Sequence, residues 1–164
     1  MDTPDSKRVD LLTEHWYEAC EERRLPNDAY RRLRGSLRRF LPSDALSGLG
    51  FPESTADAPF VIALTDEAFL RFLAPDSALT LDARALPLKS IVELQVRGSD
   101  ESSLRASFRV GDWDIVISSG DRLYVRTLAP IGSSFGADNG GETVMLRLAE
   151  RLGWPTPLRE EVAP

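Results

Sequence analysis

The sequence has few of the residues from which catalytic and metal sites are built. It contains one cysteine, Cys20, and one histidine, His15. A single cysteine excludes an intrachain disulfide, which fits a reducing compartment. A structural zinc site needs three or four ligands, so this pair predicts no metal site. No third group is present to orient the histidine, so we do not expect the two residues to act as a catalytic nucleophile and base.

Long apolar runs and catalytic motifs are missing as well. The longest stretch without a charged residue, Thr127 to Ala137, is far shorter than the roughly 20 residues of a membrane-spanning helix. The polar segment Met1 to Asp10 lacks the apolar region of a signal peptide. The glycine-rich segment 132–141 has no P-loop lysine, and no hydrolase, zinc-protease or kinase motif is present. These absences predict a cytoplasmic protein that is not an enzyme and binds no cofactor.

Positive charge is scarce for a protein that binds nucleic acid. The 164 residues include 20 Lys/Arg and 26 Asp/Glu, and the net charge is −6. Because a body of this charge repels phosphate, the composition argues against general nucleic-acid binding. Residues 1–50 hold nine charges of each sign, so the acidity belongs to the remainder of the chain.

Two amphipathic helices are predicted in residues 1–46, which we interpret as a helical extension. In the first, apolar side chains recur at spacings of three and four: Val9, Leu12, Trp16, Ala19 and Cys20. The second follows the break at 26–28, with a stripe of Tyr30, Leu33, Leu37, Phe40 and Leu41. So short a link favours an antiparallel helical hairpin.

The second predicted helix carries five arginines: Arg31, Arg32, Arg34, Arg38 and Arg39. They can form a basic patch for an acidic partner or an anionic surface. They can equally pair with acidic residues of the first helix: Glu14, Glu18, Glu21 and Glu22. The sequence leaves both interpretations open, because a charge run is usually a solvated helix face.

Residues 47–59 are rich in Gly, Pro, Ser and Ala without periodicity, and predict a linker. About seven short strands are then predicted. Six lie at 60–64, 69–73, 91–97, 104–110, 113–118 and 123–127, and short extended pieces lie at 79–81 and 85–88. Val92, Leu94 and Val96 are expected to point inward, and Gly111-Asp112 is expected to form a tight turn. Such spacing is typical of antiparallel sheets in a barrel or sandwich.

A final helix is predicted from about 140 to 152. Asn139 and Glu142 have capping-box spacing, and Gly153 suits the position after the helix. Residues 157–164 are expected to form a C-terminal tail without regular secondary structure. The fold class is therefore α+β: a helical hairpin, an antiparallel open barrel or sandwich, and a C-terminal helix.

The segments PFVIALTDEAFLRFL (59–73) and ALPLKSIVELQV (85–96) resemble the opening hairpin and fourth strand of small bacterial pleckstrin-homology-like (PH-like, GRAM-like) domains. The resemblance implies that residues 58–156 form an open barrel of two bent sheets closed by the C-terminal helix. Family members bind phosphoinositides through basic residues around the first hairpin. Here that turn, Thr65 to Glu67, is acidic, and Arg71 is the only basic residue on its strands. Phosphoinositide binding is therefore not expected, whereas protein docking and self-association are.

The resulting functional hypothesis is a non-enzymatic module that binds a protein partner or itself. The candidate contact residues are arginines of the second helix and aromatics expected to be exposed: Arg31, Arg34, Arg38, Arg39, Trp16, Tyr30, Trp113 and Tyr124. A second hypothesis is a small-ligand or hydrolytic site at a sheet end, formed by Asp112, Asp114 and Asp121. A third is contact of the arginine-rich helix with an anionic membrane or nucleic acid.

Overall fold

The computed structural model describes residues 4–20, 28–52, 58–73, 82–97, 108–130 and 140–153. Three α-helices lie in these ranges: α1 (Pro4–Cys20), α2 (Ala29–Phe40) and α3 (Gly141–Arg151). Seven strands accompany them: β1 (Leu46–Gly50), β2 (Phe60–Leu64), β3 (Ala68–Phe72), β4 (Ala83–Pro87), β5 (Ile91–Arg97), β6 (Phe108–Ile117) and β7 (Arg122–Pro130). A single 3-10 turn, Leu88–Ser90, joins β4 to β5.

The strands form two antiparallel sheets with orders β1-β2-β3-β4 and β5-β6-β7. Phe51 and Arg126 exchange two backbone hydrogen bonds of 2.9 Å, which link the β1 side of the larger sheet to β7. Within the described residues the sheets do not close into a barrel. The prediction of an α+β chain with two helices, antiparallel sheets and a C-terminal helix is confirmed, while the PH-like barrel stays a prediction.

The larger core lies between the two sheets and α3. Phe60, Ile62 and Leu64 of β2 point into it, together with Trp113 and Ile115 of β6. The buried face of α3 completes it with Val144, Met145, Leu148 and Ala149. The predicted final helix is thus confirmed as α3, and Gly153, two residues beyond its end, has φ +93°. Asn139 of the expected capping box lies outside the described residues.

A second core joins the helical hairpin to the opposite face of the four-stranded sheet. Leu49, Val61 and Phe72 of that sheet pack with the predicted stripes of both helices: Val9, Leu12, Trp16, Cys20, Leu33 and Leu37. Because both faces of β2 are covered, all five of its residues are buried, which explains its continuous apolar sequence. Phe40 departs from the predicted stripe, since it lies at the end of α2 and is 57% exposed.

The linker predicted from 47 is wrong at residues 47–50, which belong to β1. Leu46 to Gly50 pair in register with Leu64 to Phe60. The glycine content reflects packing: a Cβ at Gly50 would lie 2.6 Å from Phe60 Cε1 and 3.1 Å from Val125 Cγ1. The hairpin expected to open the sheet is therefore the second one, β2–β3.

Two predictions within the smaller sheet are also wrong. Gly111-Asp112 forms no turn, because β6 continues through it and pairs Gly111 with Thr127 and Asp112 with Arg126. Val92 does not point inward but is 62% exposed. The cause is a register shift between Ile91 and Glu93, which breaks the simple alternation. The other strand predictions at 79–81 and 104–107 lie outside the described residues, as does the tail at 157–164.

Candidate interaction surface on the helical hairpin

The two tryptophans proposed as contact residues are buried. Trp16 has no exposed surface, and its indole nitrogen donates a 2.7 Å hydrogen bond to the carbonyl oxygen of Pro59. Trp113 is 3% exposed and donates a 3.1 Å bond to the hydroxyl of buried Thr127. The expectation that these rings are exposed is wrong. Both are core residues whose polar atoms are satisfied internally.

Tyr124 is half-buried and belongs to a hydrogen-bonded cluster on the smaller sheet. Its hydroxyl donates to Asp112 Oδ1 at 2.6 Å, and Arg126 Nε donates to the same oxygen at 2.8 Å. Burial, followed by the bond to Asp112, raises the pKa of Tyr124 above its ordinary value. The bond to Asp112 likewise raises the pKa of Arg126. Asp112 and Arg126 neutralise each other, and the uncharged phenol of Tyr124 adds a hydrogen bond to the carboxylate.

The three carboxylates of the ligand-site hypothesis are not gathered into one site. Asp112 is held by Tyr124 and Arg126, as described. Asp114 is buried, with Arg122 Nη1 at 3.9 Å from its Oδ2. Asp121 lies in the β6–β7 turn and accepts a 3.0 Å hydrogen bond from Ser119. Among the described residues, no group of three or more His, Cys, Asp or Glu side chains could hold a metal ion.

Among the described residues, three of the five arginines of α2 have ion-pair partners. Arg32 lies 2.5 Å from Asp82, which precedes β4. Arg34 and Arg38 lie 3.2 and 3.5 Å from Asp10 of α1. The acidic partner on α1 is thus a residue that the charge pattern did not single out. Of the four predicted partners, Glu21 and Glu22 lie outside the described residues.

The outer face of α2 is a basic surface around an exposed glycine. Arg31 and Arg34 precede Gly35, and Arg38 and Arg39 follow it. Residues at i±3 and i±4 are surface neighbours on a helix, so Arg31, Arg38 and Arg39 flank the glycine, whereas Arg34 is its neighbour along the chain. Nothing lies within 4 Å of where a Cβ of Gly35 would be. We call these five residues the arginine face.

Tyr30 lies beside a hollow formed by residues of both helices. The hollow, of about 570 Å³, is lined by Glu14, Tyr17, Glu18 and Tyr30. The rings of Tyr17 and Tyr30 meet edge to face, with centroids 6.0 Å apart. Glu14 and Glu18 therefore lie next to tyrosines. Sequence reasoning missed Tyr17 because this residue lies off the apolar stripe of α1.

A pair of arginines on the larger sheet was also missed. Arg71 of β3 and Arg84 of β4 are direct cross-strand neighbours. The guanidinium of Arg71 lies over the ring of Phe60, with Cζ 5.5 Å from its centroid. Burial, and secondly the charge of Arg84, lower the pKa of Arg71. The two residues are 13 positions apart on strands whose register could not be read from the sequence.

Within the described residues, none of the helices combines the length and apolar character needed to cross a membrane. No family model matches the chain, and no curated protein matches it significantly. Among solved structures, the chain is similar to the C-terminal domain of an unknown protein from Leishmania infantum. The sequences are 10% identical, the alignment covers 73% of this chain and 94% of that one, and the TM-score is 0.38.

Proposed function

We propose that this chain is a non-enzymatic interaction module that binds an acidic protein segment through the arginine face of α2. The observation that carries the proposal is Gly35, which is exposed within the helix and is flanked by Arg31, Arg38 and Arg39 at helical-neighbour spacing. A glycine inside a helix costs about 1 kcal/mol relative to alanine. Among the described residues nothing lies within 4 Å of an added Cβ, so no packing contact there requires the glycine. A partner backbone approaching between the arginines would require it.

The charges of the face favour an acidic partner. Arg31 and Arg39 are exposed, and Arg39 lies over the ring of its neighbour Phe40 with Cζ 5.6 Å from the centroid. Arg34 and Arg38 share a single carboxylate, Asp10, so the face retains positive charge. Guanidinium groups bind carboxylates through paired hydrogen bonds. Because the chain as a whole is acidic, a second copy of it could also supply the partner carboxylates.

Two other anionic partners fit the hairpin less well. A helix that binds a membrane surface inserts its apolar face, but Leu33 and Leu37 of α2 are fully buried against the sheet. A nucleic acid would meet a net charge of −6, which opposes binding over the wider surface. A short acidic peptide avoids both difficulties, because it needs to touch only the arginine face.

The proposal includes the finer architecture that the resemblance implies. In this view the two sheets and α3 form a PH-like scaffold in the cytoplasm, and the helical hairpin presents the binding surface. The seven antiparallel strands and the helix that packs between the sheets support it. The second core supports a fixed position for the hairpin, because α1 and α2 bury their stripes against β1, β2 and β3.

The test measures binding of a fluorescein-labelled peptide of alternating Glu and Ala residues by anisotropy. Wild type should bind, Arg39→Glu should weaken binding by about tenfold, and added salt should weaken it further. Arg147→Glu, on the exposed surface of α3, changes net charge equally and should leave the affinity within about twofold. Equal losses in both variants, or no binding by wild type, would overturn the proposal.

A charge-neutral variant separates the arginine face from general attraction. Gly35→Leu fills the gap between the arginines with a residue of higher helix propensity. We expect a folded protein of equal or higher stability that has lost most of its affinity for the peptide. Retained affinity in this variant would show that Gly35 has no part in docking. Light scattering of the same samples would reveal self-association as the alternative occupant.

A further inference from the structure

We infer that Arg71 and Arg84 form a binding site for a doubly charged oxyanion, such as a phosphate monoester or a small dicarboxylate. The pair lies at one end of the four-stranded sheet, away from the β2–β3 turn at residues 65–67. Side chains alternate along β3, and Phe69 packs in the core between the sheets while Phe72 packs against the hairpin. Arg71 therefore shares the inner face with Phe69 and lies far from the arginine face.

The pair is unfavourable as it stands. Like charges directly opposite each other on neighbouring strands repel, and this repulsion destabilises a sheet. The Nε of Arg71 is buried and has no hydrogen-bond partner among the described residues. A buried donor without a partner costs free energy. The ring of Phe60 offers the guanidinium a cation–π contact, but it supplies no hydrogen-bond acceptor.

No carboxylate of the described residues compensates the pair. Neither Arg71 nor Arg84 forms an ion pair in this part of the chain. The nearest acidic residue before β4 is Asp82, and its Oδ1 accepts a hydrogen bond of 2.5 Å from Arg32 of α2. Within the described residues, the sheet therefore holds two half-buried arginines directly opposite each other without a carboxylate counterion.

The number of donors and charges indicates the class of ligand. Each guanidinium has five N–H donors in a planar fork, and one fork pairs with one carboxylate through two parallel hydrogen bonds. Two forks side by side match a group with three or more oxygen atoms and about two negative charges. A bound dianion would offer a hydrogen-bond acceptor to the buried Nε of Arg71, and its charge would offset the repulsion between the two arginines.

The experiment is isothermal titration of the full chain with inorganic phosphate and, separately, with succinate, at constant ionic strength set by sodium chloride. Either ligand should bind wild type, and Arg71→Met and Arg84→Met should each weaken binding by about tenfold or more. The ligand that binds identifies the chemistry. Absence of binding by both, or unchanged affinity in both variants, would overturn the inference.

Controls keep the result separate from folding and from the proposed function. Arg147→Met removes an exposed arginine elsewhere and should bind like wild type. Arg39→Glu should also bind like wild type, because it alters only the arginine face. Thermal unfolding without ligand provides a second readout: Arg84→Met should have a melting temperature equal to or above that of wild type, since it removes the repulsion. A marked decrease would show that the pair stabilises the fold and would contradict the inference.

Discussion

The indole nitrogen of Trp16 in α1 donates a hydrogen bond to the backbone carbonyl oxygen of Pro59, which lies 43 residues further along the chain. Pro59 directly precedes β2, the strand that is buried on both faces. This bond and the second core tie the helical hairpin to the larger sheet. The hairpin is therefore packed on the sheet, although the division of the chain into domains stays a prediction.

Replacing Trp16 by phenylalanine should lower the free energy of unfolding by at least about 2 kcal/mol. The change leaves the buried carbonyl of Pro59 without its donor and removes volume from a fully buried site. Urea unfolding followed by circular dichroism would measure the effect. Tyr17→Phe on the exposed side of the same helix is the matched control and should change stability little. Equal stability of both variants would contradict the role assigned to the Trp16 bond.

Gly50→Ala should destabilise the protein by about 1–3 kcal/mol, the usual range for overpacking a core. The new methyl group would lie 2.6 Å from Phe60 Cε1 and 3.1 Å from Val125 Cγ1. Because Phe60 and Val125 are buried, neither can move freely away. Thermal and urea unfolding would measure the loss. A variant as stable as wild type would mean that β1 does not approach β7 as closely as described.

Gly35→Ala should have the opposite effect and stabilise the protein by about 0.5–1 kcal/mol. The position is helical and open, so alanine gains helix propensity without a clash. Gly153→Ala is the matched comparison, since that position is equally open but has φ +93°. The Gly153→Ala variant should be less stable than wild type, because a side chain strains a left-handed backbone. Urea unfolding of the two variants should give shifts of opposite sign, and shifts of the same sign would contradict this account.

The parts of the fold that could be predicted from the sequence are those marked by a local periodic pattern of apolar residues. The stripes of α1 and α2 are periodic signals, and burial confirms them except at Phe40. β1 was missed because its sequence, LSGLG, has no strand propensity of its own. It is a strand because β2 pairs with it and because Gly50 permits the close approach of Phe60. Both reasons are non-local.

The candidate sites were harder to predict for the same reason. The arginines of α2 were visible in the sequence, but Gly35 became informative only once the structure showed open space around it. The exposure of Trp16 and Trp113 was misjudged because a lone aromatic residue does not reveal which face of an element is covered. The Arg71–Arg84 pair depends on strand register, which a single sequence does not encode locally.

The last prediction concerns pH and the Tyr124 cluster. In the folded state the pKa of Tyr124 is raised above 10.0, first by burial and then by the hydrogen bond to Asp112. The folded protein therefore keeps a proton that the unfolded chain releases. This contribution to stability is complete below about pH 10 and is lost as the pH rises through the folded pKa. Urea unfolding between about pH 8 and pH 11 should show wild type losing stability more steeply than Tyr124→Phe, which has no phenol to titrate.

The Asp112→Asn variant tests the cause of the shift. The change removes the carboxylate that accepts the 2.6 Å hydrogen bond from Tyr124 and the 2.8 Å bond from Arg126. With the negative charge gone, the pKa of Tyr124 should fall towards its ordinary value, and tyrosinate absorbance should appear at lower pH than in wild type. Spectrophotometric titration measures this directly, with Tyr124→Phe as the reference that identifies the phenol. An unchanged titration would assign the shift to burial alone and would remove Asp112 from the account.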